Sequence, residues 1–424
     1  MVFDSFAESH NLFLWCAFIG AIVMGAVVNK TNFCTMGAVS DMVNIGDHNR
    51  FRAWLLAIAI AMLGVTLLEY AGMVDADSTF PPFRGSNLLL AEHLLGGFMF
   101  GIGMTFASGC GNKTLIRIGA GNLKSVVVFI IIAVISWYML FPLPGTDQTL
   151  FSLFFYEWIR PLSIGLSSEQ DIGAMVNNIA GTDNTDGLRL AFGLLIATTL
   201  LITLLRRAEF RANRDNVLSG VVVGLAVVFA WFVSNNIHIE ADEELYTLAE
   251  YYEEWDLLAD SDEGKPAIAR TLASQSYTFI SPMGQAYGYA TSGFDAALVT
   301  FGLVALTGLI LGSLLWALAT RSFRIEWFVD SKDFLNHVIG GVLMGFGGML
   351  AIGCTIGQGV TGLSTLALGS VLTFVSIVFG GALTMKMQYY YLCYEDEASF
   401  IKTLLSSLVD MKLLPESLRK LEAL

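Results

Sequence analysis

Long parts of the chain carry no charged side chain. Residues 334–385 run for 52 positions without Asp, Glu, Lys or Arg, and the stretches 9–29, 125–146, 216–239 and 296–320 are likewise uncharged. A helix that spans a bilayer needs about 20 such residues. Because lipid offers no hydrogen-bond partners, a spanning segment must satisfy its own backbone, as an α-helix does. The predicted fold class is therefore an all-α membrane protein.

The composition agrees with this class. Of the 424 residues, 55% are hydrophobic and 14% are charged, whereas about 25% are charged in soluble domains. The alternating pattern of a membrane β-barrel is missing. Residues 1–11 contain Asp4 and Glu8 but no Lys or Arg, which does not fit a cleavable signal peptide. The net charge of −14 gives no support for a nucleic acid partner.

The uncharged stretches and their flanks predict nine spans. Their approximate limits are 11–29, 53–73, 87–108, 125–142, 187–205, 216–236, 294–320, 334–353 and 370–390.

The connections between these spans alternate in basic content. The positive-inside rule assigns the richer set to the cytoplasm, which puts the N-terminus outside, the tail 394–424 inside, and the acidic loop 237–275 outside. The basic residues of the cytoplasmic set are Lys30, Arg50, Arg52, Lys113, Arg117, Lys124, Arg206, Arg207, Arg211, Arg214, Arg321, Arg324 and Lys332.

An internal repeat links two of the spans. Residues 93–110 and 337–354 both fit H-x2-G-G-x3-G-x-G-x3-A-x-G-C, with eight fixed positions in register. The copies lie in the third and eighth spans, five apart, so they cross the membrane in opposite directions. This predicts an inverted repeat, as in many transporters. The predicted divisions are a first repeat at 1–142, an outer loop and linker helix at 143–215, a second repeat at 216–393, and the tail.

Each repeat copy ends on a cysteine at a predicted helix break. Glycines cluster around Cys110 and Cys354, and a similar break after the first span holds Cys34. Such glycines interrupt helices, and the freed backbone must line a cavity or be buried in protein. The breaks therefore predict re-entrant half-helices. A short match at 280–284 would place Ser281 opposite Cys34.

Three cysteines at related breaks suggest a path for a small anion. Helix N-termini offer N–H donors and partial positive charge, and a thiol is a soft contact suited to terminal sulfur. The simpler interpretation, that each cysteine is a small hydrophobe in a tight contact, suits Cys16 and Cys393. Lys113 and Arg117 either mark the inner interface or stand beside the anion exit.

The sequence offers no metal or cofactor site. The five cysteines form no C-x2-C pair, and an odd number of them in apolar sequence does not fit a disulfide framework. The segment 111–114 breaks the order of a phosphate-binding loop. The motifs G-x-S-x-G and H-E-x-x-H do not occur in the sequence, and a non-enzymatic role is predicted.

At these residues the chain resembles the YeeE/YedE family of bacterial inner-membrane proteins. The similarity covers most of the membrane portion and rests on three segments. These are residues 32–37, which read Asn-Phe-Cys-Thr-Met-Gly, residues 101–119 around Ser-Gly-Cys-Gly, and residues 345–359 around Cys354.

The resemblance implies an inverted-repeat fold in the inner membrane that imports thiosulfate, with thiols handing the anion inward from Cys354 to Cys110 to Cys34. It also implies a TusA-like cytoplasmic sulfur carrier as partner, and related members handle selenium. The predicted path residues are Cys354, Cys110, Cys34, Lys113, Arg117, Asn32, Gly109, Gly111, Gly353, Gly357 and Gln358.

Two alternatives stay open. A membrane sulfurtransferase would accept sulfane sulfur as a persulfide on Cys110, a nucleophile that Lys113 and Arg117 would help to activate. In the other, the membrane domain has a structural or assembly role and the acidic loop 237–275 is the working part.

Overall fold

The computed structural model describes residues 1–241, 243–258, 265–268 and 272–422. Within them most of the chain is α-helical, which confirms the predicted class. The helices are α1 (Phe6–Thr31), α2 (Thr35–Ser40), α3 (Asn49–Tyr70), α4 (Leu90–Phe106), α5 (Gly111–Gly119), α6 (Leu123–Leu140), α7 (Glu157–Ile159), α8 (Ile172–Ala180), α9 (Thr185–Leu205), α10 (Ala208–Ala212), α11 (Arg214–Asn235), α12 (Leu248–Glu253), α13 (Trp255–Leu258), α14 (Ile280–Thr291), α15 (Phe301–Ala319), α16 (Ser331–Leu350), α17 (Leu368–Tyr394) and α18 (Phe400–Asp410).

Shorter elements complete the chain. The strands are β1 (Val2–Phe3), β2 (Asn87–Leu88), β3 (Ile164–Gly165), β4 (His238–Ala241) and β5 (Glu244–Thr247). Strand β4 pairs with β1 in parallel and with β5 in antiparallel register, and β2 pairs with β3. Turns of π-helix lie at Asp41–Ile45, Ser152–Tyr156 and Gly357–Gly362, and 3-10 turns at Arg160–Leu162, Ala296–Leu298, Glu395–Glu397 and Glu416–Leu418.

Eight helical segments of the described chain are long and apolar enough to cross a membrane. The remaining predicted span, 334–353, forms α16, which has 20 residues but is not among these eight segments. Helix α16 carries Asn336, His337 and many glycines, which lower its hydropathy. The predicted span 294–320 is shorter in the structure, because the Thr300 hydroxyl accepts from the Leu303 amide and starts α15 there.

The connections gather on two faces, which we name by the terminus on each. On the N-terminal face, the Met1 amine donates to the Asn236 carbonyl, and the Asp75 amide donates to the Asn235 side chain. On the C-terminal face, Lys124 pairs with Asp333 at 2.7 Å. The long helices run between these faces, so substances crossing the protein must pass between helices.

The two motif helices pack directly on each other. A Cβ atom on Gly96 would lie 2.7 Å from the Gly347 carbonyl oxygen, and one on Gly103 would lie 2.8 Å from that of Gly340. Residue numbers therefore rise along α4 as they fall along α16, and the pair is antiparallel. An inverted repeat requires this arrangement, while the repeat boundaries and the membrane orientation stay predictions.

A buried charge cluster holds the N-terminal face together. Arg84 is 1% exposed and binds Glu69 and Asp77, while its Nε donates to the Thr365 carbonyl at 2.8 Å. Arg189 binds Asp171 at 2.8 Å from the side of α9. Buried charges persist only when they are paired, so this cluster fixes the chain just after the Cys354 break.

Candidate functional site

The three predicted breaks share one backbone pattern. Asn32, Ser108 and Ile352 adopt left-handed conformations with φ of 52°, 56° and 58°. Each lies two residues before a cysteine. A left-handed residue ends a helix, and for the β-branched Ile352 this conformation is strained. The chain therefore stops, turns and restarts in the same way three times.

At each break the cysteine begins the next helix. The carbonyls of Cys34, Cys110 and Cys354 accept from the amides of residues 38, 114 and 358. Each cysteine thus occupies the N-cap position, where serine or threonine is usual. The Cys354 sulfur accepts from the Gly357 amide at 3.4 Å. The predicted half-helices are α2, α5 and the turn that runs into Gly357–Gly362.

The three breaks converge inside the protein. The thiols of Cys34 and Cys110 interact side chain to side chain, and the Thr35 hydroxyl lies 4.0 Å from the Cys110 sulfur. On the other side of Cys110, a Cβ on Gly111 would lie 3.9 Å from the Cys354 Cβ. Cys110 and Cys354 are fully buried, and Cys34 is 5% exposed. The cysteines form a chain of neighbours with Cys110 in the middle.

A cavity leads to one end of this chain from the N-terminal face. It has a volume of about 270 Å³, and its floor includes Ile352 and Gly353, directly before Cys354. Arg160 and Glu92 line it and face each other at 3.3 Å between Nε and Oε1. Both long loops on this face contribute to the wall, through Phe151 and Leu272 among others.

Cations stand at the other end. Lys113 is 8% exposed, and its Nζ donates to the Asn32 side chain at 3.1 Å. The stem of Lys113 and the guanidinium of Arg117 both lie over Gly109. Asn32 is exposed at the C-terminal face, where its carbonyl accepts from Arg50. The predicted residues of the first half are therefore brought together around Cys110.

Gln358 and Ser281 differ from the other predicted positions in what their side chains contact. Gln358 donates to the Ala351 carbonyl at 2.7 Å and accepts from Ser370 at 2.6 Å, so its side chain ties the break to α17. Ser281 lies in the first turn of α14 and lines the cavity. The N-cap of that helix is Phe279, so Ser281 does not occupy the position that Cys34 has in the first half.

Sequence reasoning missed the threonines beside the cysteines. The Thr355 side chain lies beside the Cys110 thiol, but its hydroxyl does not form a hydrogen bond with that sulfur. Among the described residues no partner is found for the buried hydroxyls of Thr355 and Thr278, nor for the side chain of Asn112. The repeated Cys-Thr dipeptide at 34–35 and 354–355 was the available signal.

Comparisons with known proteins agree with this site. The family model for sulphur transport matches residues 30–383. The thiosulfate transporter TsuA of Escherichia coli is 26% identical over 362 residues, which cover 80% of this chain and 84% of the relative. A thiosulfate transporter TsuA of Spirochaeta thermophila is 23% identical over 378 residues, covering 87% and 96%. These matches confirm the resemblance on which the motifs rested, and the chain belongs to the sulphur transport family.

Proposed function

We propose that this protein carries thiosulfate, or a closely similar sulfur anion, through the membrane by way of Cys354, Cys110 and Cys34 in that order. The observation that carries the proposal is the convergence of these three buried cysteines below a cavity. The names of both relatives point to the same substrate. The role is that of a transporter and not of an enzyme.

The chemistry of the path suits an anion with terminal sulfur. A thiol is a weak donor and a polarisable surface, so it can meet a sulfur atom without holding it tightly. Amide groups at the start of α5 and of the turn after Cys354 add donors and partial positive charge. Lys113 lies beyond Cys110 and offsets the anion's charge. Weak successive contacts favour passage over trapping.

The proposed orientation in the membrane rests on the charge of the two faces. The basic connections, with Arg50, Arg117 and Lys124 among them, lie on the C-terminal face, which we assign to the cytoplasm of a bacterial inner membrane. The cavity and the N-terminus then face outward. The antiparallel pair α4 and α16 supports an inverted repeat around the path. A TusA-like sulfur carrier would receive the transported sulfur at the C-terminal face.

Uptake of labelled thiosulfate in cells that lack other importers tests the proposal. We expect Cys110→Ala, Cys354→Ala and Cys34→Ala each to lower uptake strongly. Cys16→Ala and Cys393→Ala serve as matched controls, because these cysteines lie outside the breaks, and they should leave uptake unchanged. Uptake that survives the triple substitution would refute the relay.

Two further measurements distinguish the alternatives. Mass spectrometry of protein exposed to thiosulfate would reveal a persulfide on Cys110 if the chain were a sulfurtransferase, and we expect none to accumulate. A panel of sulfur and selenium oxyanions, tested for protection of the three thiols against alkylation, identifies the preferred anion. Stronger protection by a selenium species would move the substrate assignment from sulfur to selenium.

A further inference from the structure

We propose that the hydroxyl groups of Thr35 and Thr355 bind the oxygen end of the passing anion while the thiols hold its sulfur end. Thr278 extends this hydroxyl track toward the cavity. The inference rests on the proposed function and makes it more specific, because it assigns the selection of two-ended anions to named side chains.

The hydroxyls of Thr35 and Thr355 are buried and have no strong hydrogen-bond partner among the described residues. Thr355 is fully buried, yet no residue of the described chain satisfies its hydroxyl. Thr35 is also fully buried, and its hydroxyl reaches only the Cys110 sulfur at 4.0 Å, a weak acceptor. Buried polar groups are almost always paired, so we expect these two hydroxyls to hydrogen-bond a transient ligand.

Other buried threonines in this fold behave differently. Thr31, Thr105 and Thr384 each donate to the carbonyl four residues earlier, at 2.8, 3.1 and 2.7 Å. This is the usual solution for a threonine in a membrane helix. Thr355 lacks it, because it is the first residue of the turn that restarts after the break, and Ala351 belongs to the end of the preceding helix α16. The break therefore leaves this hydroxyl without the internal partner that a threonine within a continuous helix has.

The positions of the threonines match the spacing of the thiols. Thr35 follows Cys34, Thr355 follows Cys354, and both side chains approach Cys110 from opposite parts of the chain. Thr278 packs against Gly357, whose amide donates to Cys354, and the Thr278 hydroxyl is buried without a partner. Cys110 thus has a hydroxyl on two sides, and a third hydroxyl lies beside the Gly357 amide that donates to Cys354.

This pairing selects by chemistry at both ends of the anion. Thiosulfate has a terminal sulfur at one end and oxygens at the other, so it can use a soft thiol and a hydroxyl donor together. Sulfate has no sulfur end for the thiols. A site that is built to hydrogen-bond one ligand discriminates well against a second ligand that leaves the polar groups of the site unpaired.

Transport kinetics of threonine variants test the inference. Thr355→Val and Thr35→Val remove a hydroxyl and keep the shape. We expect the KM for thiosulfate to rise on the order of 10- to 100-fold, as for the loss of a hydrogen bond to a charged group. Thr355→Ser and Thr35→Ser keep the hydroxyl and should restore a KM near that of the unmodified protein. Thr384→Val is the control, since its hydroxyl bonds only within α17.

Each outcome has a clear meaning. A KM in the valine variants equal to that of Thr384→Val, with uptake intact, overturns the inference and leaves the proposed function standing. Equal losses in the serine and valine variants overturn it too, because the hydroxyl is then not the cause. An unmodified protein that takes up no thiosulfate refutes the proposed function, and the inference falls with it. Thr355→Ala replaces the valine variant if the latter does not accumulate in the membrane.

Discussion

Replacing Gly340 by alanine should force the two motif helices apart. The added Cβ would lie 2.5 Å from the Ala107 amide nitrogen and 2.7 Å from the Gly103 carbonyl oxygen, whereas ordinary contact begins at 3.4 Å. Both neighbours are backbone, so no side chain can turn away. Helix α4 must retreat by about 0.9 Å to relieve the closer contact. Overpacking of this kind costs about 1–3 kcal/mol, and the wider gap also weakens dispersion contacts along the helix pair.

The adjacent glycine of the same motif provides a matched control. The three atoms nearest to a Cβ on Gly341 all belong to the Ile131 side chain, the closest at 3.2 Å. A shift of a few tenths of an ångström at Ile131 relieves this contact, and alanine is favoured over glycine within a helix by about 1 kcal/mol. Gly341→Ala should therefore be neutral or slightly stabilising.

Thermal unfolding of the detergent-purified variants, followed with a thiol-reactive dye, measures the difference. The dye reports the exposure of Cys34, Cys110 and Cys354, which are buried in the folded protein, above the constant signal of the exposed Cys393. We expect Gly340→Ala to lower the Tm and Gly341→Ala to leave it near that of the unmodified protein. Equal Tm values for the two variants would show that the close backbone approach does not limit stability.

Further predictions concern the second break and the charge cluster. Gly357→Ala places a methyl group against the Thr278 hydroxyl, so we expect uptake to fall sharply while the protein still folds; normal uptake would argue against a path at this point. Burial raises the pKa of Asp171, but the hydrogen bond from Arg189, the nearby charge of Arg84 and the Ala174 amide together outweigh this and hold the pKa below its ordinary value of 3.8. The stability that Asp171 contributes is therefore present above about pH 4 and lost as the pH falls through the lowered pKa; Asp171→Asn should lack this acid step in a Tm series and lose about 3–5 kcal/mol at neutral pH. Arg84→Ala removes the donor to the buried Thr365 carbonyl, while Glu69 and Asp77 keep Arg189 as a partner, so we expect a smaller loss of about 1–3 kcal/mol in the same assay.

The spans and breaks could be predicted because their causes are local. Uncharged stretches of sufficient length predict membrane helices, and the glycines around Cys110 and Cys354 predict interruptions. The start of α15 was harder to predict from the sequence, because residues 296–300 are uncharged like the helix that follows. In the structure a 3-10 turn occupies Ala296–Leu298, and the Thr300 cap marks where α15 begins.

The arrangement of the site could be predicted only in part. The three cysteines stand out by their position at breaks, but their convergence on Cys110 depends on how distant helices pack. The structural role of Gln358 depends on Ser370 and Ala351, which lie on other elements. The repeated Cys-Thr dipeptide marks Thr355, but the absence of a partner for its hydroxyl among the described residues depends on how distant segments pack around the break.

The burial of all three path cysteines has a consequence for the membrane that houses them. On the proposed path, an anion that reaches Cys110 exchanges its hydration shell for thiols and hydroxyls, so dehydration is part of the activation barrier and the rate should climb steeply with temperature. A constriction lined by buried side chains would also interrupt a continuous water wire, so we expect no proton leak to accompany transport.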